Sequence, residues 1–186
     1  LLTDMDTPLG YGIGNLIEVQ EAYRTIKGQG PADLTEICLV LSAEMLKLAG
    51  HGSYEVCYKA AQSAISSGAA EKKFIELVQN QGGDISVLSR DPLKDHCTDE
   101  VFANRSGYIQ RMDTQALGNA SMLLGAGRTT KDSPIDYQAG IILHKKTGMK
   151  VNKGDRLATL VAKDSGKMTQ ARKVLGAAYY YGESPA

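Results

Sequence analysis

An α/β architecture followed by an α+β one is what this chain of 186 residues predicts. Three observations carry that expectation. Apolar Leu1-Leu2, like the tail of a strand, lead through a turn holding Gly10, Gly12 and Gly14 into a helix-periodic stretch. Helical spacing of apolar residues then persists to about residue 80. From Glu100 onward, short strand-like runs separated by turn residues replace it. The expected domains are residues 1–90, mostly helical, and residues 91–186, strand-rich.

Ile13, Leu16/Ile17, Ala22/Tyr23 and Ile26 space the first helix, with Glu18, Glu21 and Arg24 between them. Gly28-Gln29-Gly30-Pro31 break it, and Asp33 is placed to cap a second helix that runs to about Ala49. Ser53 caps a third, with Val56/Cys57, Ala60/Ala61 and Ala64/Ile65 inward. Ser66-Ser67-Gly68 interrupt again, and a fourth helix carries Phe74 and Leu77/Val78 to about Asn80. A lone starting strand makes no sheet, so the sheet that these helices cover is expected in sequence preceding Leu1. Residues 81–99 read as a linker, on their glycines, Pro92 and aperiodic charge. Val101-Phe102-Ala103 and residues 108–112 read as strands about a turn at Arg105-Ser106-Gly107. Thr114 caps a short helix that Gly125 stops. Residues 137–144 and 156–162 read as strands, and residues 164–181 as a closing helix.

With 21 basic and 21 acidic residues the charge balances, and no basic run stands out. That argues against nucleic acid or an anionic membrane as a partner. No apolar run approaches the roughly 18 residues that a membrane span needs. The start lacks the charged leader and apolar segment of a signal peptide. It also lacks an initial Met, so the chain reads as part of a longer one. Cys38 and Cys57 fall on apolar helical faces and read as buried thiols in a reducing cytoplasm, with disulfide and metal roles as the alternatives. His51, His96 and His144 lack the paired spacing of a zinc site and read as loop or surface residues.

A strand, a glycine turn and a helix form the arrangement in which α/β proteins place ligands. Gly10-Tyr11-Gly12-Ile13-Gly14 is GxGxG, not GxGxxG, and no acidic residue follows at the spacing a ribose requires. Alone it reads as a turn that needs glycine, with nucleotide binding as the alternative. Asp4 and Asp6 fit turn chemistry before Pro8 better than an acid–base pair. Gly125-Ala126-Gly127-Arg128 departs from GxxxxGK[ST] and follows a helix, so it reads as a cap and turn in which Arg128 pairs locally. Met149-Lys150-Val151 enters the Gly154-Asp155 turn and is not the tip of a biotinylated hairpin.

The run TDMDTPLGYGIGN with EVQEA resembles the central motif of the pyrimidine nucleoside phosphorylases, which include the thymidine phosphorylases. The likeness continues through Lys27 to Pro31, Asp33-Leu34, residues 79–84, Leu124 to Arg128, Ile135-Asp136 and residues 148–160. It covers nearly the whole chain in collinear order. The resemblance implies the remaining part of a phosphorylase α/β domain, followed by a C-terminal domain similar to the lipoyl/biotinyl hammerhead folds. It implies a structural potassium ion held by the backbone carbonyls of Leu9 and Gly12 and the side chain of Glu21. The family more often has alanine where Gly12 stands. Carbonyl oxygens replace the hydration shell of such a cation and one carboxylate offsets its charge. The plainer reading of Glu21 is a helix-surface pair with Arg24 or Lys27.

For the full family enzyme the resemblance implies phosphorolysis of a pyrimidine nucleoside, with phosphate as co-substrate, to free base and pentose 1-phosphate. It also implies a cytoplasmic homodimer. The family's phosphate cradle and base-recognition residues match no stretch here. No catalytic or substrate-binding residue is therefore assigned, and this portion alone is expected to be inactive and not to dimerise. A phosphoribosyltransferase of the anthranilate type is a competing reading, opposed by the strand module of residues 100–160. A non-enzymatic carrier or interaction module is another, and it would need a modifiable hairpin lysine.

Overall fold

A computed structural model describes residues 1–91, 93–128 and 130–185. Pro92 of the expected linker and Thr129 beyond the Gly125 turn lie outside the described residues. The chain forms two compact units: Leu1–Glu18 with Asp91–Ala186, and Val19–Arg90. The first eighteen residues thus group with the C-terminal half.

The Val19–Arg90 unit takes most of α1 (Asn15–Ile26), then α2 (Ala32–Leu48), α3 (Tyr54–Ser66) and α4 (Ala69–Asn80). Described residues here form no strand, so the unit is a helical layer, as the periodicity implied. Ser53 caps α3, its hydroxyl accepting from the Val56 N–H. Pro31, not Asp33, is the residue before α2, and it offers no side-chain cap. Proline already has the fixed φ that suits a helix start, which leaves Asp33 in the first turn. The buried centre is small: Leu39, Ala43, Cys57 and Ala61. Val56 is 57% exposed and Leu77 51%, although both belong to the apolar faces read from spacing. Cys38 is exposed, against expectation. An apolar groove of about 710 Å³, lined by residues such as Ile26, Leu39, Met45 and Ile65, opens between these helices.

The other unit is α+β. Strands β1 (Gly12–Ile13), β4 (Gly140–Leu143), β6 (Arg156–Ala162) and β2 (Cys97–Phe102) form one antiparallel sheet in the order β1-β4-β6-β2. Strands β5 (Lys150–Val151), β3 (Gly107–Met112) and β7 (Tyr179–Gly182) form a second, in the order β5-β3-β7. Helices α5 (Thr114–Leu124) and α6 (Met168–Ala177) complete it. Its core includes Ile109, Leu117, Ile141, Leu157, Leu160 and Leu175, all essentially inaccessible to solvent. At about 25 cal/mol per Å² of apolar area removed from water, these side chains supply the main stabilisation of the unit.

Several sequence expectations are corrected here. Leu1-Leu2 is not a strand; both side chains are exposed and residues 1–5 take no regular structure. The cap of α5 is Asp113, whose carboxylate accepts from the Ala116 N–H at 2.9 Å, and not Thr114. Cys97 to Asp99 lie in β2 and not in the linker. The closing helix ends at Ala177, because Tyr179 to Tyr181 pair with β3 instead. Tyrosines fit a pleated, half-buried surface better than another helical turn.

Candidate functional site

The glycine turn belongs to the α+β unit and is fastened to it from several sides. Gly12 and Ile13 pair with Ile142 and Ile141 of β4. The Leu143 N–H donates to the Tyr11 carbonyl at 2.8 Å, and the Leu16 N–H to the Tyr137 carbonyl at 2.9 Å. Asn15 Nδ2 donates to the Ala126 carbonyl at 2.8 Å. Gly14 has φ +136°, and a Cβ there would stand 2.5 Å from the Ala139 carbonyl oxygen. A Cβ on Gly140 would in turn land on the Ile13 carbonyl. The two glycines thus let β1 and β4 cross in close contact. The start of α1 is capped reciprocally: the Gly14 N–H donates to Glu18 Oε1 at 2.8 Å, and the Glu18 N–H to the Gly14 carbonyl at 2.9 Å.

A lysine that the sequence did not single out completes this site. Lys146, 6% exposed, donates from Nζ to the Gly10 carbonyl at 2.9 Å, and the ammonium lies 5.1 Å from the centroid of the Tyr11 ring. It follows β4 in a Lys145-Lys146 doublet that reads as an ordinary polar turn. No spacing in the sequence marks its burial.

The remaining expected ion ligands fall as follows. Leu9 and Gly12 lie in this turn, and Glu21 lies on α1 in the helical unit. Glu21 is 6% exposed, so it is not the helix-surface residue of the plainer reading. Lys27, one candidate partner, pairs with Glu71 at 3.5 Å. The buried face of α1 is rotated from the apolar stripe: Gln20, Glu21 and Thr25 are buried while Ala22 is exposed. Backbone partners make that tolerable. Gln20 Nε2 donates to the Arg90 carbonyl at 2.6 Å, and the Thr25 hydroxyl to the Glu21 carbonyl at 2.9 Å. Among the described residues no group of three or more His, Cys, Asp or Glu side chains could hold a metal.

Other candidates resolve simply. Asp4 Oδ1 accepts from the Asp6 N–H at 2.8 Å, which is turn chemistry. Gly125 caps α5 in the left-handed region, at φ 112°, and Arg128 is exposed. Met149-Lys150-Val151 enters the turn closed by the Asn152 N–H on Asp155 Oδ2 at 2.9 Å. Two histidines are not surface residues. His144 Nε2 lies 2.8 Å from the Thr159 hydroxyl, which donates to Glu100. Burial and Arg156 hold the His144 imidazole below its ordinary value, against the opposing pull of Glu100. His96, its side chain 5% exposed, contacts Asp136 Oδ2 at 3.0 Å.

Antiparallel sheets with α5 and α6 over residues 97–182, and a glycine turn fastened to them, define an α+β domain. Residues 108–182 match the family model described as the pyrimidine nucleoside phosphorylase C-terminal domain. Over those residues the chain carries the C-terminal domain of that family. It is 44% identical over 164 residues to pyrimidine-nucleoside phosphorylases of Staphylococcus aureus strains USA300, NCTC 8325 / PS 47 and bovine RF122/ET3-1. The alignment covers 86% of this chain and 38% of each relative, so the chain spans about two fifths of their length. No helix among the described residues is long and apolar enough to cross a membrane.

Proposed function

We propose that the chain serves a pyrimidine nucleoside phosphorylase, which converts a pyrimidine nucleoside and phosphate to free base and pentose 1-phosphate. The observation that carries this is the 44% identity over 164 residues to relatives named for that activity. Phosphorolysis needs an anion cradle, donors for the charge that builds on the departing base, and closure that aligns the reactants. No residue of this chain is assigned to those tasks, and the catalytic and substrate-binding sets stay empty. The part played here is the C-terminal module, hammerhead-like in its strand core, with the glycine turn built onto it. The full enzyme is proposed to be a cytoplasmic homodimer.

The potassium ion is proposed at the carbonyls of Leu9 and Gly12 with the carboxylate of Glu21. When bound it supplies a fixed positive charge that holds the turn and takes no part in bond making. The Glu21→Gln variant of the full-length enzyme should lose the thermal stabilisation that potassium gives over choline; an equal response in both proteins would remove the ion assignment.

Replacing the corresponding segment of the Staphylococcus aureus enzyme with this chain tests the main reading. The chimera should release uracil from uridine in the presence of phosphate, and a folded but inactive chimera would count against it. The unfused chain should release none. Base release by the chain alone would show that catalytic residues had been overlooked.

A further inference from the structure

We propose that Lys146 is a positioning residue whose ammonium, bonded to the Gly10 carbonyl and set against the Tyr11 ring, is the protein's own fixed cation in the glycine turn. Three observations converge on it. The side chain is 6% exposed, its Nζ reaches Gly10 O at 2.9 Å, and the ring centroid lies 5.1 Å away. Lysine is almost never buried without such compensation, because desolvating an ammonium is costly.

The lysine's own backbone is held rigidly. The His144 N–H donates to the Leu157 carbonyl at 2.8 Å and the Met149 N–H to the Lys146 carbonyl at 3.1 Å. The Ile109 N–H donates to the Met149 carbonyl at 2.9 Å and the Gly148 N–H to the Ile109 carbonyl at 2.8 Å. Leu157 and Ile109 are core residues, so the ammonium is delivered from the α+β core. Its neighbour in the turn, the Tyr11 carbonyl, accepts from Leu143 at the end of β4. The end of β4 and the loop after it therefore fix the turn by one backbone bond and one charge. Charge-assisted bonds of this kind are about twice as strong as neutral ones. A turn fixed in this way keeps its carbonyl directions whether or not a diffusible ion is present.

The test is amide hydrogen exchange of residues 10–16 in choline chloride without alkali ions, so that failure of the potassium assignment leaves it untouched. In Lys146→Ala these amides should exchange roughly tenfold faster, while β6 stays protected. Adding propylammonium or ammonium, but not more choline, should restore the protection. Unchanged exchange in the variant, or loss that no small cation reverses, would overturn the proposal. Should Lys146→Ala fail to fold, the unaltered chain decides. Its Lys146 ammonium should give an NMR cross-peak with contacts to Gly10 and a ring-current shift from Tyr11. A solvent-averaged signal lacking both would overturn it equally.

Discussion

His96 stands between two acceptors. Its Nδ1 is 3.2 Å from the Lys94 carbonyl and its Nε2 is 3.0 Å from Asp136 Oδ2. Burial pushes the Asp136 carboxyl up, but hydrogen bonds from the Gln138 N–H and His96, and the histidine's charge, bring it below the ordinary carboxylate range. A carboxyl that is more acidic when folded stabilises the protein above its unfolded value of about 4, and that contribution is lost as pH falls below it. Replacing Asp136 by Asn should flatten the acid limb of a stability–pH curve measured by urea titration between pH 5 and 2.5. A variant curve as steep as the parent's would dismiss the pair as a stabilising contact. Thr147 offers a prediction of opposite sign. Its hydroxyl is buried and makes no hydrogen bond. Thr147→Val keeps the shape and removes the unsatisfied group, and should gain about 1 kcal/mol in chemical denaturation.

Among the elements, β1 is, with β5, one of the two shortest, and it is the most consequential. Two residues, Gly12 and Ile13, attach the glycine turn to β4, and their approach requires Gly14 and Gly140 to lack side chains. Gly140→Ala should cost about 1–3 kcal/mol, because the new methyl must push backbone and not a flexible side chain. A midpoint in urea within error of the parent would show that the crossing can relax. Helix α1 shows why element faces are harder to read than element positions. Its extent was legible from Ile13, Leu16/Ile17 and Ile26. Its buried face was not, because Gln20 and Thr25 are satisfied by carbonyls supplied at Arg90 and within the helix. Strand β6 was read to its ends, since Arg156 to Ala162 is a continuous β-forming run. The closing helix was read too long by the three tyrosines whose partners lie in β3.

For the whole molecule, the large fully buried side chains are concentrated in the α+β unit, from Ile109 to Leu175. The helical unit buries only Leu39, Ala43, Cys57 and Ala61 among its apolar residues, and α4 buries none. Native-state hydrogen exchange should therefore find the amides of α3 and α4 opening roughly a hundredfold more readily than those of β6. Equal protection in both would mean that the two units unfold as one. Leu41, Met45 and Val56 on α2 and α3 are apolar yet exposed, so apolar spacing in this unit does not by itself report burial.

The sequence by itself determined where most helices and strands run, because period and breakers are local properties of the chain. Its collinear motifs likewise carried the family resemblance, through residues such as Asp4 to Asn15 and Leu124 to Arg128. Only the tertiary structure decided that the first eighteen residues group with the C-terminal half. It alone decided that Glu21 is buried, that His96 meets Asp136, and that Lys146 reaches Gly10. Each of these joins groups between 40 and 136 positions apart, or depends on what covers a face. Spacing along a chain records which side of an element is apolar; it carries no record of which distant carbonyl or carboxylate will make a polar side chain worth burying.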